Sequence, residues 1–291
     1  MAKRRPRVAT PTQYGETLSE SGFWVEYPDG LVDLTRTRPL SLSLASDAHL
    51  LACDDAASPP PLDADTQIEL PVDGERTIRL TGANTALVVV DMQNFFLHKD
   101  LRDHPTGIAC VDPLLAVVPA LRKHGVRIIW LNWGLTPQEL HTLPPSLARQ
   151  FSRSSRGGFG SPLPDPFGPL LMRGSYNAQL YGPLQDLYLA GHTAGTDVWI
   201  HKNRISGIWG YQSALDLYLK ENGIRSLLFA GVNADQCVMG TFSDAYFRGY
   251  DVVMLQDATA TTSPAGGLEN VLYNAGSYGF VTDTKRVVEA L

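Results

Sequence analysis

Three side chains in this sequence have types and settings suited to nucleophilic chemistry at a carbonyl: Asp91, Lys202 and Cys237. Asp91 follows the apolar run Ala86-Leu87-Val88-Val89-Val90. A carboxylate at the end of a buried strand is costly unless it is paired or used, and its plainer use is a turn or helix cap. Lys202 closes Val198-Trp199-Ile200-His201, where a lone lysine more often snorkels to solvent. Cys237 comes one short turn after Leu228-Phe229-Ala230 and falls in the first turn of an expected helix. Free amides and the dipole of a helix N-terminus stabilise a thiolate, so the setting predicts a lowered thiol pKa. The plainer reading of a cysteine is a small apolar core residue. The same amides can hold the oxyanion of a tetrahedral intermediate. Together the three supply a nucleophile, a carboxylate to take its proton and a cation, which is what covalent hydrolysis of an amide-like carbonyl needs.

These residues act together only if the chain brings three strand ends to one rim. Short continuous apolar runs predict buried parallel strands over 86–90, 126–131, 197–201, 226–230 and 250–255, with a short one near Phe280. Helices are expected between them: 111–124 closed by Gly125, 211–222, 235–248 closed by Gly249, 265–273, and 283–291 capped by Asp283. This alternation gives an α/β fold with a parallel sheet covered by helices on both faces. Ligands of such sheets bind at the carboxyl ends of the strands. Residues 1–80 read as an N-terminal extension that packs on the main domain, 81–291. Its one regular feature is a hairpin of Gln67–Leu70 and Arg76–Leu80 about Asp73-Gly74. Ser58-Pro59-Pro60-Pro61 reads as a linker. Within the main domain the strand-helix pattern lapses over 134–196, a proline-rich insertion suited to an active-site cover or an oligomer contact.

Four segments, in order, resemble the isochorismatase-like cysteine hydrolases. Residues 86–96, ending Asp91-Met92-Gln93-Asn94-Phe95-Phe96, look like the family's opening strand, and Gly231-Val232-Asn233-Ala234-Asp235-Gln236-Cys237-Val238 like its nucleophile turn. Residues 247–253 and 256–260 resemble its next helix end and strand. The resemblance covers about residue 84 to the end. It implies a Rossmann-like parallel sheet of six strands and a catalytic triad of Asp91, Lys202 and Cys237. It also implies a cis peptide between Val232 and Asn233, an oxyanion hole from the amides of Asn233 and Cys237, and a homo-oligomer, dimer or tetramer. The family's metal-dependent nicotinamidases use an Asp where Phe95 stands and a His-rich segment where Asn132-Trp133-Gly134-Leu135 stands. The departure predicts no metal and no cofactor and argues against nicotinamide. His98 and His104 match no metal spacing and read as loop histidines.

Phe96, Trp133, Trp209 and Tyr211 are candidate pocket aromatics, though such residues are as often core. Arg204 is a candidate partner for an anionic substrate group or a surface residue. The expected substrate is a small molecule with an amide or ureide C–N bond. Two alternatives keep the fold: vinyl-ether cleavage using Asp and Lys without a thiol, and a non-catalytic scaffold. Gly157-Gly158-Phe159-Gly160 is not a dinucleotide fingerprint, because prolines follow it.

Composition narrows the classes. Hydrophobic residues make 44% of 291 and the net charge is −6. Four basic residues crowd the first seven positions, and the rest carries 20 basic against 30 acidic side chains. That body repels phosphates and disfavours nucleic acid, while the basic leader reads as a solvated, disordered start. No secretory signal and no membrane-length apolar run stand out. Three widely spaced cysteines, Cys53, Cys110 and Cys237, argue against a disulfide framework and for a reducing, cytoplasmic setting.

Overall fold

In the computed structural model, which describes residues 6–40, 58–153 and 157–291, the apolar runs form the strands of a parallel sheet. Lys3, Arg4, Arg5, Cys53 and all but the first residue of the mildly apolar stretch from Leu40 lie outside the described residues. The extension holds β1 (Thr12–Gly15), β2 (Phe23–Glu26), β3 (Leu31–Asp33), β4 (Gln67–Val72) and β5 (Arg76–Thr81). The main domain opens with β6 (Thr85–Val90), α1 (Asn94–Leu97), α2 (Pro105–Ile108), α3 (Val111–Lys123), β7 (Arg127–Trp133), α4 (Pro137–Leu140) and α5 (Pro145–Phe151). It continues with α6 (Pro183–Thr193), β8 (Asp197–Lys202), α7 (Ala214–Glu221) and β9 (Ser226–Val232). After a π-helical turn at Ala234–Val238 come α8 (Met239–Phe247), β10 (Asp251–Ala260), α9 (Gly267–Tyr278), β11 (Phe280–Thr282) and α10 (Thr284–Ala290).

The main sheet has six strands in the order β11-β10-β9-β6-β7-β8, all parallel. Every residue of β6 is buried, as a central strand covered on both faces must be. From β6 the chain steps outward through β7 to β8, then returns to the other side of β6 as β9. That reversal leaves a crevice at the carboxyl ends of β6 and β9. Gly231 lets the two strand ends close up: at φ 119°, a Cβ there would stand 2.0 Å from the Val90 carbonyl oxygen.

Helix α3 buries Val111, Leu114, Val117, Val118 and Leu121, a helical stripe against β7 and β10. The 19 residues Pro105–Lys123 reach the mean hydropathy of a membrane span, although Asp112, Arg122 and Lys123 interrupt the apolar run. They are two helices, and the apolar face of the longer one is spent on the sheet. Helix α6 overturns the lapse expected across all of 134–196. Pro183 sits in its first turn after Gly182 at φ 54°, a start signal with a fixed φ where no N–H is needed.

The extension is more regular than its composition indicates. Beside the antiparallel pair β4 and β5, strands β1, β2 and β3 complete a second sheet in the order β1-β2-β3-β5-β4. Ile68, Leu70, Val72, Ile78 and Leu80 join the main core. Asp251, at the amino end of β10, accepts Trp24 Nε1 at 2.7 Å, two Arg36 nitrogens at 2.6 and 2.9 Å, and Ser226 Oγ at 2.6 Å. Asp73 N donates to the Val281 carbonyl at 2.8 Å. These anchors lie at the amino ends of β9 and β10 and along the β11 edge, so the described part of the extension does not cap the crevice.

Candidate active site

Asp91 turns out of β6 with φ 54°, a left-handed conformation that is strained for a residue with a Cβ. The turn lets its amide donate to Leu131 O at 3.0 Å while Oδ1 accepts Trp133 N at 3.2 Å. The carboxylate is thereby laid over the neighbouring strand end. Gln93 reinforces this join: Oε1 accepts Trp133 N at 3.0 Å and Nε2 donates to Trp133 O and Ala178 O, both at 2.7 Å.

From the far side Lys202 reaches in. Its Nζ lies 3.0 Å from Asp91 Oδ2, donates to Cys237 Sγ at 3.4 Å and to Arg204 O at 3.2 Å, and sits 3.7 Å from the Trp133 ring centroid. All three side chains are buried. Asp91 Oδ2 thus faces the Lys202 ammonium, and the Cys237 side chain is a further partner of the carboxylate. The structure therefore brings Asp91, Lys202 and Cys237 to one point at the strand carboxyl ends.

Cys237 differs electrostatically from the sequence expectation. It belongs to the π-helical turn that precedes α8, not to the first turn of a regular helix. Burial pushes its thiol up to about 12; Lys202 opposes this and Asp91 adds to it. Desolvation is the largest influence on the sulfur and acts against its ionisation, the opposite direction to the sequence expectation. Burial also holds Asp91 above the usual carboxylate range, with Lys202 as the chief opposing influence. A weakly acidic thiol and a strengthened carboxylate base share one cation.

The peptide bond between Val232 and Asn233 is cis. Asn233 Oδ1 is held 2.8 Å from His104 Nε2 and 3.4 Å from Thr262 N. His104 Nδ1 accepts Gly107 N at 2.9 Å, which leaves Nε2 as the donor to Asn233. Burial lowers the His104 pKa. His104 is a loop histidine, as its spacing indicates, but a buried one whose ring holds the turn that carries Cys237. The His104-Pro105 pair starts α2, but a helix start does not say what the ring touches.

A cavity of about 330 Å³ opens over Cys237, lined by Asn233 and Gln236, by Phe95, Phe96 and Ile205, and by Arg102, Gln150, Phe151 and Arg153. Of the five candidate substrate-binding residues only Phe96 lines it, beside Asn233 and Cys237. Trp133 is buried behind Lys202, packed on Phe151 and Phe159. Arg204 spends its guanidinium on the carbonyls of Asn203 and Thr142 and on the Trp209 ring. Trp209 is 54% and Tyr211 88% exposed, outside the cavity. The insertion contributes Gln150, Phe151 and Arg153, which no local sequence signal marks. Among the described residues no group of three His, Cys, Asp or Glu side chains is placed to hold a metal ion.

Comparison with known proteins agrees with this architecture. Residues 85–285 match the family model described as "Isochorismatase domain". The chain is 30% identical over 214 residues to the ureidoacrylate amidohydrolase RutB of Cronobacter turicensis, across 71% of this chain and 88% of that protein. N-carbamoylsarcosine amidase from Thermoplasma acidophilum superposes with a TM-score of 0.52 at 25% identity, over 69% of this chain and 96% of the other. Nicotinamidase from Bacillus subtilis shares the fold, with a TM-score of 0.53 at 24% identity over 69% and 99% of the two chains.

Proposed function

Because the chain belongs to the isochorismatase family and is a hydrolase of C–N bonds, we propose that it cleaves a small amide or ureide through a thioester on Cys237, with Asp91 carrying the proton. A ureide on a short carbon chain is the first candidate substrate, by analogy with the relative named ureidoacrylate amidohydrolase. The cavity volume, about 330 Å³, suits a molecule of that size.

The observation that carries the reading is the position of Lys202 Nζ, 3.0 Å from Asp91 Oδ2 and 3.4 Å from Cys237 Sγ. At rest the buried charges are one carboxylate and one ammonium. When the thiol proton passes to Asp91, the negative charge moves to sulfur and the ammonium still faces it. Net buried charge does not change, so the transfer escapes the large penalty of creating a lone charge in a low-dielectric site.

Asp91 takes the proton of Cys237 as sulfur attacks the carbonyl carbon, and the carbonyl π pair moves onto oxygen. The amides of Asn233 and Cys237 receive that oxyanion. It collapses, the C–N bond breaks, and Asp91 gives its proton to the leaving nitrogen. Asp91 then takes a proton from water, the resulting hydroxide attacks the thioester, and the C–S bond breaks. The departing sulfur recovers the proton from Asp91, restoring thiol and carboxylate.

Mass spectrometry of the protein incubated with a panel of small amides and ureides tests this. A covalent acyl adduct on residue 237 is expected, and Cys237→Ala and Cys237→Ser should fold normally but fail to turn over. Wild-type rates in both variants would reject the thioester route.

A further inference from the structure

We infer that Glu139, in the insertion, is a positioning residue for Lys202: through Asn203 it holds the Arg204 carbonyl that aims the ammonium at Asp91 and Cys237. This rests on the reading of Lys202 as the cation shared by those two groups.

Three acceptors surround the Lys202 ammonium: Asp91 Oδ2 at 3.0 Å, Cys237 Sγ at 3.4 Å and Arg204 O at 3.2 Å. An ammonium has three N–H bonds, so a bond to the carbonyl commits one and leaves two for the reacting pair. A lysine stem is flexible and its head is a compact charge that turns freely. The carbonyl therefore sets where the other two N–H bonds point. Arg204 O takes no part in the proton transfer, so it stays in place while negative charge moves from Asp91 to sulfur.

The carbonyl belongs to the turn after β8, and the insertion grips that turn twice. Asn203 Nδ2 donates to Glu139 Oε1 at 2.8 Å, and Arg204 Nη2 donates to Thr142 O at 2.7 Å. Glu139 is itself fixed. Its Oε2 accepts Thr136 N at 2.7 Å while its own amide donates to Thr136 Oγ1 at 3.3 Å, a capping box at the start of α4. One oxygen is spent on its helix, and the other is aimed across at Asn203. Burial raises the Glu139 pKa, but the bonds from Thr136 and Asn203 outweigh it and hold the carboxyl below its usual range, so the acceptor stays charged near neutral pH. Ile205, the next residue of the turn, lines the cavity. The insertion thus acts on the site through three consecutive residues of one turn.

The test is alkylation of Cys237 by iodoacetamide at pH 9, read by peptide mass spectrometry in wild type, Glu139→Ala, Asn203→Ala, the double variant and Glu139→Gln. A well-aimed ammonium favours the thiolate, so each single alanine variant should be alkylated about 3- to 10-fold more slowly than wild type. The double variant should match the singles, because both side chains serve one bond. Glu139→Gln keeps an oxygen acceptor toward Asn203 and should recover most of the rate. A merely structural role gives the opposite sign, because a loosened insertion bares the buried sulfur and speeds alkylation. Wild-type or faster rates in both alanine variants, or losses that multiply in the double variant, overturn the inference. Failure of the thioester reading registers separately, as turnover retained in Cys237→Ala and Cys237→Ser, which the alkylation rates do not measure.

Discussion

Replacing Lys202 with methionine removes the cation shared by Asp91 and Cys237 while keeping a long apolar side chain against Trp133. At the 3.0 Å separation seen here, an effective dielectric of about 20 gives roughly 5 kcal/mol of attraction. Losing it leaves a buried carboxylate with only backbone and thiol neighbours, and breaking a buried pair by removing one partner typically costs about 3–5 kcal/mol. The site escapes by protonating Asp91, which then cannot accept the thiol proton. A loss of that size corresponds to roughly a thousandfold fall in kcat/KM. The pH profile carries the sign. Asp91 is already held above the ordinary carboxylate range, and Lys202 is the chief influence lowering it. The working form needs Asp91 charged, so the acid limb of kcat/KM should move to higher pH in the variant. Cys237, pushed up to about 12, should contribute no alkaline limb below that region. For stability, a carboxyl whose folded pKa exceeds its unfolded value favours folding at low pH, so the variant should gain stability as pH falls through its raised Asp91 pKa. Steady-state rates across pH, paired with thermal melts, measure both. A Lys202→Met enzyme within tenfold of wild type, with an unmoved acid limb, would refute the shared-cation argument.

Alkylation of Cys237 by iodoacetamide should be much slower at pH 7 than for an exposed cysteine and should still be rising at pH 10, because burial keeps the sulfur protonated; intact-mass kinetics read this, and fast alkylation at neutral pH would contradict it. His104→Ala should lower kcat about 10- to 100-fold with little change in KM, because it frees Asn233 without touching the substrate. His104→Gln, which keeps a donor, should recover part of the loss, and equal rates in all three proteins would exclude a positioning role. Arg36→Met, at the opposite end of the sheet, should destabilise the fold by about 3 kcal/mol by leaving the buried Asp251 without its guanidinium, with kcat per folded molecule unchanged; denaturant titration and active-site-normalised rates check both parts.

Sequence alone determined the layer architecture and picked out the three side chains that meet at the strand ends. A buried parallel strand must be apolar throughout, so the runs ending at Asp91 and approaching Cys237 could be read directly, and Lys202 stood out as the charge closing a third. Boundaries drifted where the apolar run is interrupted: β7 runs on past Asn132 to Trp133 and β9 past Gly231 to Val232. What the tertiary structure alone decided follows from groups far apart in the chain. The ionisation of Cys237 depends on total desolvation beside Asp91 and Lys202, and a helix-terminus argument from local sequence gives the opposite direction. The cavity wall depends on where the insertion folds back, so Phe151 and Arg153 line it while Arg204, Trp209 and Tyr211, nearer Lys202 in sequence, face elsewhere. His104 meets Asn233, 129 residues away, only because the loop after β6 closes over it. Local patterns record which faces must leave water; which distant polar groups then meet depends on the register and packing of elements the pattern does not relate to one another.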